Sequence, residues 1–224
     1  MYFRDLFDYF YFFLLSICLL TGLWSWQKLR KAFRLLVMFV LATIVVEAAA
    51  IWTLKSFGQN NAVYIVYDLL NMAVVGGLMR SFMVGSFIRR ISLTVIVSAI
   101  VTYMVDVFIL NRYVADYSYI NCGICIFFCF LSCLYLLGVM QNPSERGLLT
   151  LPEFILAIFV LFFYSISLLY WLVFLRLTGT EARELTRLLY RLFLISNLIF
   201  YSGILIVFIL ERKASLRKHE GKFI

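Results

Sequence analysis

The chain has 224 residues, of which 64% are apolar and only 14% charged, with a net charge of +8 and a mean hydropathy of +0.98. An ordinary soluble domain carries roughly 25% charged residues, so these figures exclude a soluble globular domain, a disordered tail and a coiled coil. Apolar residues run along almost the whole length, which also excludes a peripheral protein with one anchor and leaves a polytopic membrane protein.

A helix that crosses a bilayer needs about 20 mostly apolar residues. Runs of that kind are predicted at 6–26, 35–54, 62–82, 91–110, 120–140, 152–175 and 187–210. They are apolar all round, unlike barrel strands, which alternate over about 10 residues. Backbone groups in lipid must be satisfied within their own segment, so each run is predicted to be helical. The fold class is therefore all-α. A seven-helix transmembrane domain is expected over 1–210, followed by a basic tail over 211–224. The first run opens MYFRDLFDYF, without a basic leader region or a small-residue cleavage site, and reads as a retained first span. Pro152 falls at the start of the sixth helix, where its missing N–H costs nothing.

Loop charge sets the expected direction. The first, third and fifth connections and the tail hold 13 of the 20 Lys+Arg, six lie on the other side, and Arg191 falls inside the last span. This bias predicts the N-terminus outside and the C-terminus in the cytoplasm. A positive surplus confined to loops and tail points to topology and anionic lipid, and away from nucleic acid.

Ionisable groups inside spans cost roughly 2.5–3.5 kcal/mol each on insertion scales. Four stand out: Glu47, Asp68, Asp106 and Arg191, joined by Asn71, Ser196 and Asn197. At a 1.5 Å rise per residue the four ionisable groups lie about 6–10 Å below one surface, and Asn197 lies deeper. Asn71 is one turn from Asp68 on the same helix face. The shared depth points to an outward-facing polar pocket with Glu47, Asp68, Asn71, Asp106, Arg191 and Asn197 as candidate ligand-binding residues. Three carboxylates against one guanidinium suit a cation, a proton or a polar ligand. The structural alternative is hydrogen-bonded glue between helices, with Arg191 paired or snorkelling to the surface.

Other patterns read as packing. Cys122, Cys125, Cys129 and Cys133 form a helical stripe of small apolar groups, and no metal or other cofactor is expected there. Ala73, Gly77, Ser81 and Gly85 form a small-residue ladder expected to pack inside the bundle. Aromatics near span ends read as interfacial belts: Tyr2, Phe3, Tyr9 to Phe13, Trp24, Trp26, Tyr117, Tyr119, Tyr170 and Trp171. The only histidine is His219, in the tail, which removes zinc-dependent and Ser–His hydrolase mechanisms within the spans. No lysine lies within the last span to carry a retinal Schiff base.

The segments EAAAIWTLKSFGQNNAVYIVYDLLN, LPEFILAIFVLFFYSISLLYW and RLFLISNLIFYSGILIVFIL resemble a group of small seven-helix inner-membrane proteins of Bacteroidetes-type bacteria. The matching features are Glu47 late in the second helix, Gly58, Asn60 and Asn61 in the outer loop, and Asn197 with Tyr201 in the seventh helix. The resemblance covers most of the chain and implies the seven-helix fold. It carries no activity with it.

The expected function is a sensor or receptor-like membrane protein. It would bind a small ligand or cation in the outer pocket and pass a helix shift to the basic inner face and a protein partner there. The alternative is a proton- or cation-coupled carrier using Glu47, Asp68 and Asp106. A lipid-modifying enzyme using paired carboxylates ranks last, because the sequence has no nucleophile–base signature.

Overall fold

The structure is a computed structural model that describes residues 2–83, 85–110, 117–141, 147–176 and 180–220. Among the described residues, seven helices are long and apolar enough to cross a membrane, and the chain is an integral membrane protein. They are α1 (Tyr2–Ser25), α2 (Lys31–Phe57), α3 (Asn61–Phe82), α4 (Ser86–Met104), α5 (Tyr117–Gln141), α6 (Pro152–Arg176) and α7 (Thr180–Glu220). The helix of α4 continues in one wider, π-type turn at Val105–Ile109. Pro152 does stand at the first position of α6. Gly58 stops α2 in a left-handed conformation, φ 73°, with its N–H on the Leu54 carbonyl at 3.0 Å.

The last helix exceeds its expected span. It has 41 residues, about 61 Å at 1.5 Å per residue, against a hydrocarbon core of about 30 Å. It runs unbroken across the 210/211 boundary to Glu220, so the described part of the basic tail is a helical extension of the seventh span.

Six helices close a ring in the order α1, α2, α3, α5, α6, α7, and α4 packs outside it against α3 and α5. Successive helices alternate in direction. The α2–α3 turn and its Asn60 mark one end of the bundle; Arg30 in the α1–α2 turn marks the other. Toward the Arg30 end the interior is filled: Phe33, Leu36, Val37, Leu78, Met79 and Phe208 are essentially inaccessible. Phe33 stacks on Phe82 at 5.2 Å, and Phe82 meets Tyr135 edge-on at 6.4 Å.

Arg30 locks that end. Its Nε and Nη2 donate to the two oxygens of Glu211 at 2.6 and 2.8 Å. Its Nη1 lies 2.6 Å from Glu153 Oε1, in the first turn of α6, where a carboxylate also meets the positive end of the helix dipole. One guanidinium thus joins the α1–α2 turn to α6 and α7.

The small-residue ladder is corrected. Ala73, Gly77 and Ser81 are exposed and Gly85 lies beyond the end of α3. A Cβ at Gly77 would meet nothing within 4 Å. The reason is rotational: the buried face of α3 runs through Asp68, Asn71, Met72, Val75, Leu78 and Met79, leaving the ladder on the far side. The close approaches are elsewhere. A Cβ on Gly22 would lie 2.7 Å from Val37 Cγ2, and one on Gly203 would run into the Phe159 ring. The five cysteines are free thiols, and the α5 stripe turns from buried Cys122 and Cys125 to exposed Cys133.

Candidate functional site

Between the Asn60 end and the middle of the ring the packing opens into a cavity of about 470 Å³. Small-molecule sites commonly measure about 300–1,000 Å³. All six ring helices line it and α4 does not. On α3 the lining residues are Tyr64, Tyr67, Asp68 and Asn71, with Asn60 just before the helix. On α7 they are Tyr190, Phe193, Leu194, Asn197, Phe200 and Tyr201. Both sets follow the i, i+3, i+4, i+7 spacing of one helical face. From Asn60 to Asn71 the cavity reaches about 16 Å into the bundle at 1.5 Å per residue.

Tyrosines hold Glu47, Asp68 and Asn71. The Tyr11 and Tyr64 hydroxyls donate to Glu47 Oε1 and Oε2, each at 3.3 Å. The Tyr103 hydroxyl reaches in from α4 and lies 3.3 Å from both Asp68 Oδ2 and the Ile65 carbonyl. Asn71 Nδ2 donates to the Tyr164 hydroxyl at 2.6 Å. Toward the deep end, the Tyr67 hydroxyl bridges Thr43 Oγ1 at 3.3 Å and the Tyr201 hydroxyl at 3.5 Å. The Cys18 thiol donates to the Tyr201 carbonyl at 3.2 Å.

Among the described residues, one buried side-chain atom of the lining lacks a hydrogen-bond partner. Asn71 is 6% exposed, and its Oδ1 is buried with no hydrogen-bond partner. A buried polar atom left unmade costs about 1–3 kcal/mol.

Four of the six sequence candidates, Glu47, Asp68, Asn71 and Asn197, come together on this cavity. Asp106 and Arg191 do not line it. Asp106 sits in the wide turn of α4, outside the ring. Arg191 is exposed, about 100° around α7 from Tyr190. Ser196 is buried and bonded within its own helix, to the Phe193 carbonyl at 2.7 Å.

The aromatic belts are corrected in part. Tyr11, Phe12, Tyr170 and Trp171 turn inward and line the cavity. Tyr9, Phe10, Phe13, Trp24 and Tyr119 are exposed, as a belt requires. The side chains of Tyr2, Phe3 and Tyr117 lie outside the described residues. The sequence reading also missed Tyr67, Tyr164, Ser167 and Asn121. Tyr64 and Tyr67 carried a usable signal, since both share the helical face of Asp68 and Asn71.

The lining thus combines two carboxylates, four asparagines and many aromatic faces. Among the described residues, no Lys, Arg or His lines it. Comparison with protein families, curated proteins and solved structures finds no match for this chain.

Proposed function

We propose that the chain is a receptor-type membrane protein that takes a small polar ligand or cation into this cavity. The observation that carries the reading is the convergence of Glu47, Asp68, Asn71 and Asn197, from three helices, on one space of about 470 Å³. Intramembrane carboxylates are costly, and such groups are by default functional. The loop charge bias supports an outward-facing cavity and a cytoplasmic Arg30 end. Placement in a bacterial inner membrane and kinship with the Bacteroidetes-type seven-helix group belong to the same proposal. So does contact of the basic end of α7 with anionic lipid.

A receptor rather than a carrier is favoured by the closed half of the bundle. Beyond the Thr43–Tyr67–Tyr201 cluster lies a filled aromatic and aliphatic layer, and beyond that the Arg30–Glu153–Glu211 clasp. Ligand entry would draw α2, α3 and α7 together around it. The shift would be read at the basic end of α7 by a partner protein.

The test is thermal unfolding of the purified full chain with amines, alcohols and carboxylates of about ten heavy atoms, a size such a cavity accepts. Stabilisation of the wild type by one of these classes, lost in Glu47→Gln and Asp68→Asn, is the expected result. Stabilisation by none overturns the reading. Uptake of the stabilising compound into proteoliposomes would transfer the site to a carrier.

A further inference from the structure

We propose that the ligand is a protonated amine bearing at least one N–H, carried on an apolar or aromatic body. The proposal rests on the cavity reading above and names the chemistry of its ligand. Asn71 Oδ1 decides the polar end. Asn71 lines the cavity, and its Oδ1 is buried without a partner, while the amide's other arm is fixed on the Tyr164 hydroxyl at 2.6 Å. An amide oxygen accepts and cannot donate, so the missing group is a donor.

The charge follows from the rest of the lining. Asp68 lies one turn before Asn71 on the same face of α3, and Glu47 lines the cavity from α2. No described Lys, Arg or His lines it, so an anionic ligand would meet carboxylates without a lining cation. A cation meets both the carboxylates and the electron-rich faces of the lining tyrosines and of Trp171. An ammonium with N–H satisfies the Asn71 oxygen and the charge together. A quaternary ammonium satisfies only the charge.

The body of the ligand is set by Phe7, Phe12, Phe39, Phe163 and Phe200, which line the same space. A strongly hydrated small cation would leave these faces unused. An arylalkylamine fills both parts.

Four probes of one shape separate the terms: phenethylamine, its N,N,N-trimethyl analogue, 2-phenylethanol and phenylacetate. Each is titrated calorimetrically into the full chain in nanodiscs. Phenethylamine is expected to bind about tenfold more tightly than the trimethyl analogue, the worth of one charge-assisted hydrogen bond. The alcohol should be weaker still, and phenylacetate should show no binding. Asn71→Leu should erase the preference for the amine over the trimethyl analogue. Asn71→Asp, which keeps an acceptor there, should retain it. Equal binding of amine and trimethyl analogue by the wild type overturns the proposal, as does tighter binding of phenylacetate or the alcohol; in each case the cavity reading stands. Binding of none of the four overturns the proposal; the cavity reading falls with it only when the wider panel of amines, alcohols and carboxylates also fails to stabilise the chain.

Discussion

Arg30 and Glu211, 181 positions apart in the chain, form a two-pronged ion pair at the end of the bundle opposite the cavity. The two partners differ in exposure. The Arg30 side chain is 54% exposed, while that of Glu211 is 4% exposed. Partial burial opposes the charge on Arg30, but its bonds to Glu211 and Glu153 hold its pKa above the ordinary value. Removing the arginine side chain leaves a buried carboxylate with the Arg30 backbone N–H at 3.2 Å but no counter-charge from that residue; removing the glutamate leaves a half-wet guanidinium still bound to Glu153. Arg30→Gln is therefore expected to cost about 3 kcal/mol, the low end for breaking a buried pair. Glu211→Gln should cost less. Denaturant unfolding of the two variants in detergent checks the order, and a larger loss in Glu211→Gln would contradict it.

Asn71 offers a different balance. Replacing it with leucine removes the bond to Tyr164 but also the buried, unpartnered Oδ1. The two effects oppose each other, because an unsatisfied buried group costs about as much as a good bond contributes. The stability of Asn71→Leu should stay within about 1 kcal/mol of wild type. Tyr164→Phe should be worse, because it leaves Nδ2 unpartnered as well. The melting temperatures of the two variants, measured without ligand, decide between these outcomes.

The spans were legible because apolar runs of this length have only one stable form in lipid. Their ends were less so. Lys31, Arg34 and Lys55 are polar yet helical in α2, and α7 extends seven residues before its expected start at 187 and ten past its expected end at 210. Charged turns can stay helical outside the hydrocarbon, so hydropathy marks the lipid boundary and not the helix boundary. The site was legible as depth: Glu47, Asp68, Asn71 and Asn197 stood at levels that one cavity could share. Rotation and ring order were not. Depth alone cannot place α4 outside the ring, so Asp106 looked equivalent to Asp68. Residue type at a span end does not give radial direction either, so Tyr11 and Tyr170 looked like Tyr9 and Tyr119.

Glycines make the rotational point testable. A methyl group at Gly203 would run into the Phe159 ring, whereas one at Gly77 would meet nothing within 4 Å. Gly203→Ala forces α6 and α7 to repack and should cost about 1–3 kcal/mol. Gly77→Ala should be neutral or slightly stabilising, because alanine favours a helix by up to about 1 kcal/mol. Unfolding of both variants in detergent gives the comparison. A large loss in Gly77→Ala would mean that the outer face of α3 is covered by another molecule in the assembled state.

The last contrast separates residues that line the cavity from those that share only its depth. Tyr103 belongs to the outlying α4, yet its hydroxyl lies 3.3 Å from Asp68 Oδ2 and so holds that carboxylate from behind. Tyr103→Phe removes one ordinary hydrogen bond, worth about 0.5–1.5 kcal/mol, so phenethylamine affinity should fall about two- to tenfold. Asp106 lies one turn further along the same helix and Arg191 lies on the exposed side of α7. Neither touches the cavity. Asp106→Asn and Arg191→Gln should leave that affinity within about twofold of wild type, as expected for substitutions away from the site. Titration of the three variants checks this. A loss in Asp106→Asn together with a gain in Arg191→Gln would make the summed field of this half of the bundle, and not Asp68 alone, the element that attracts the cation.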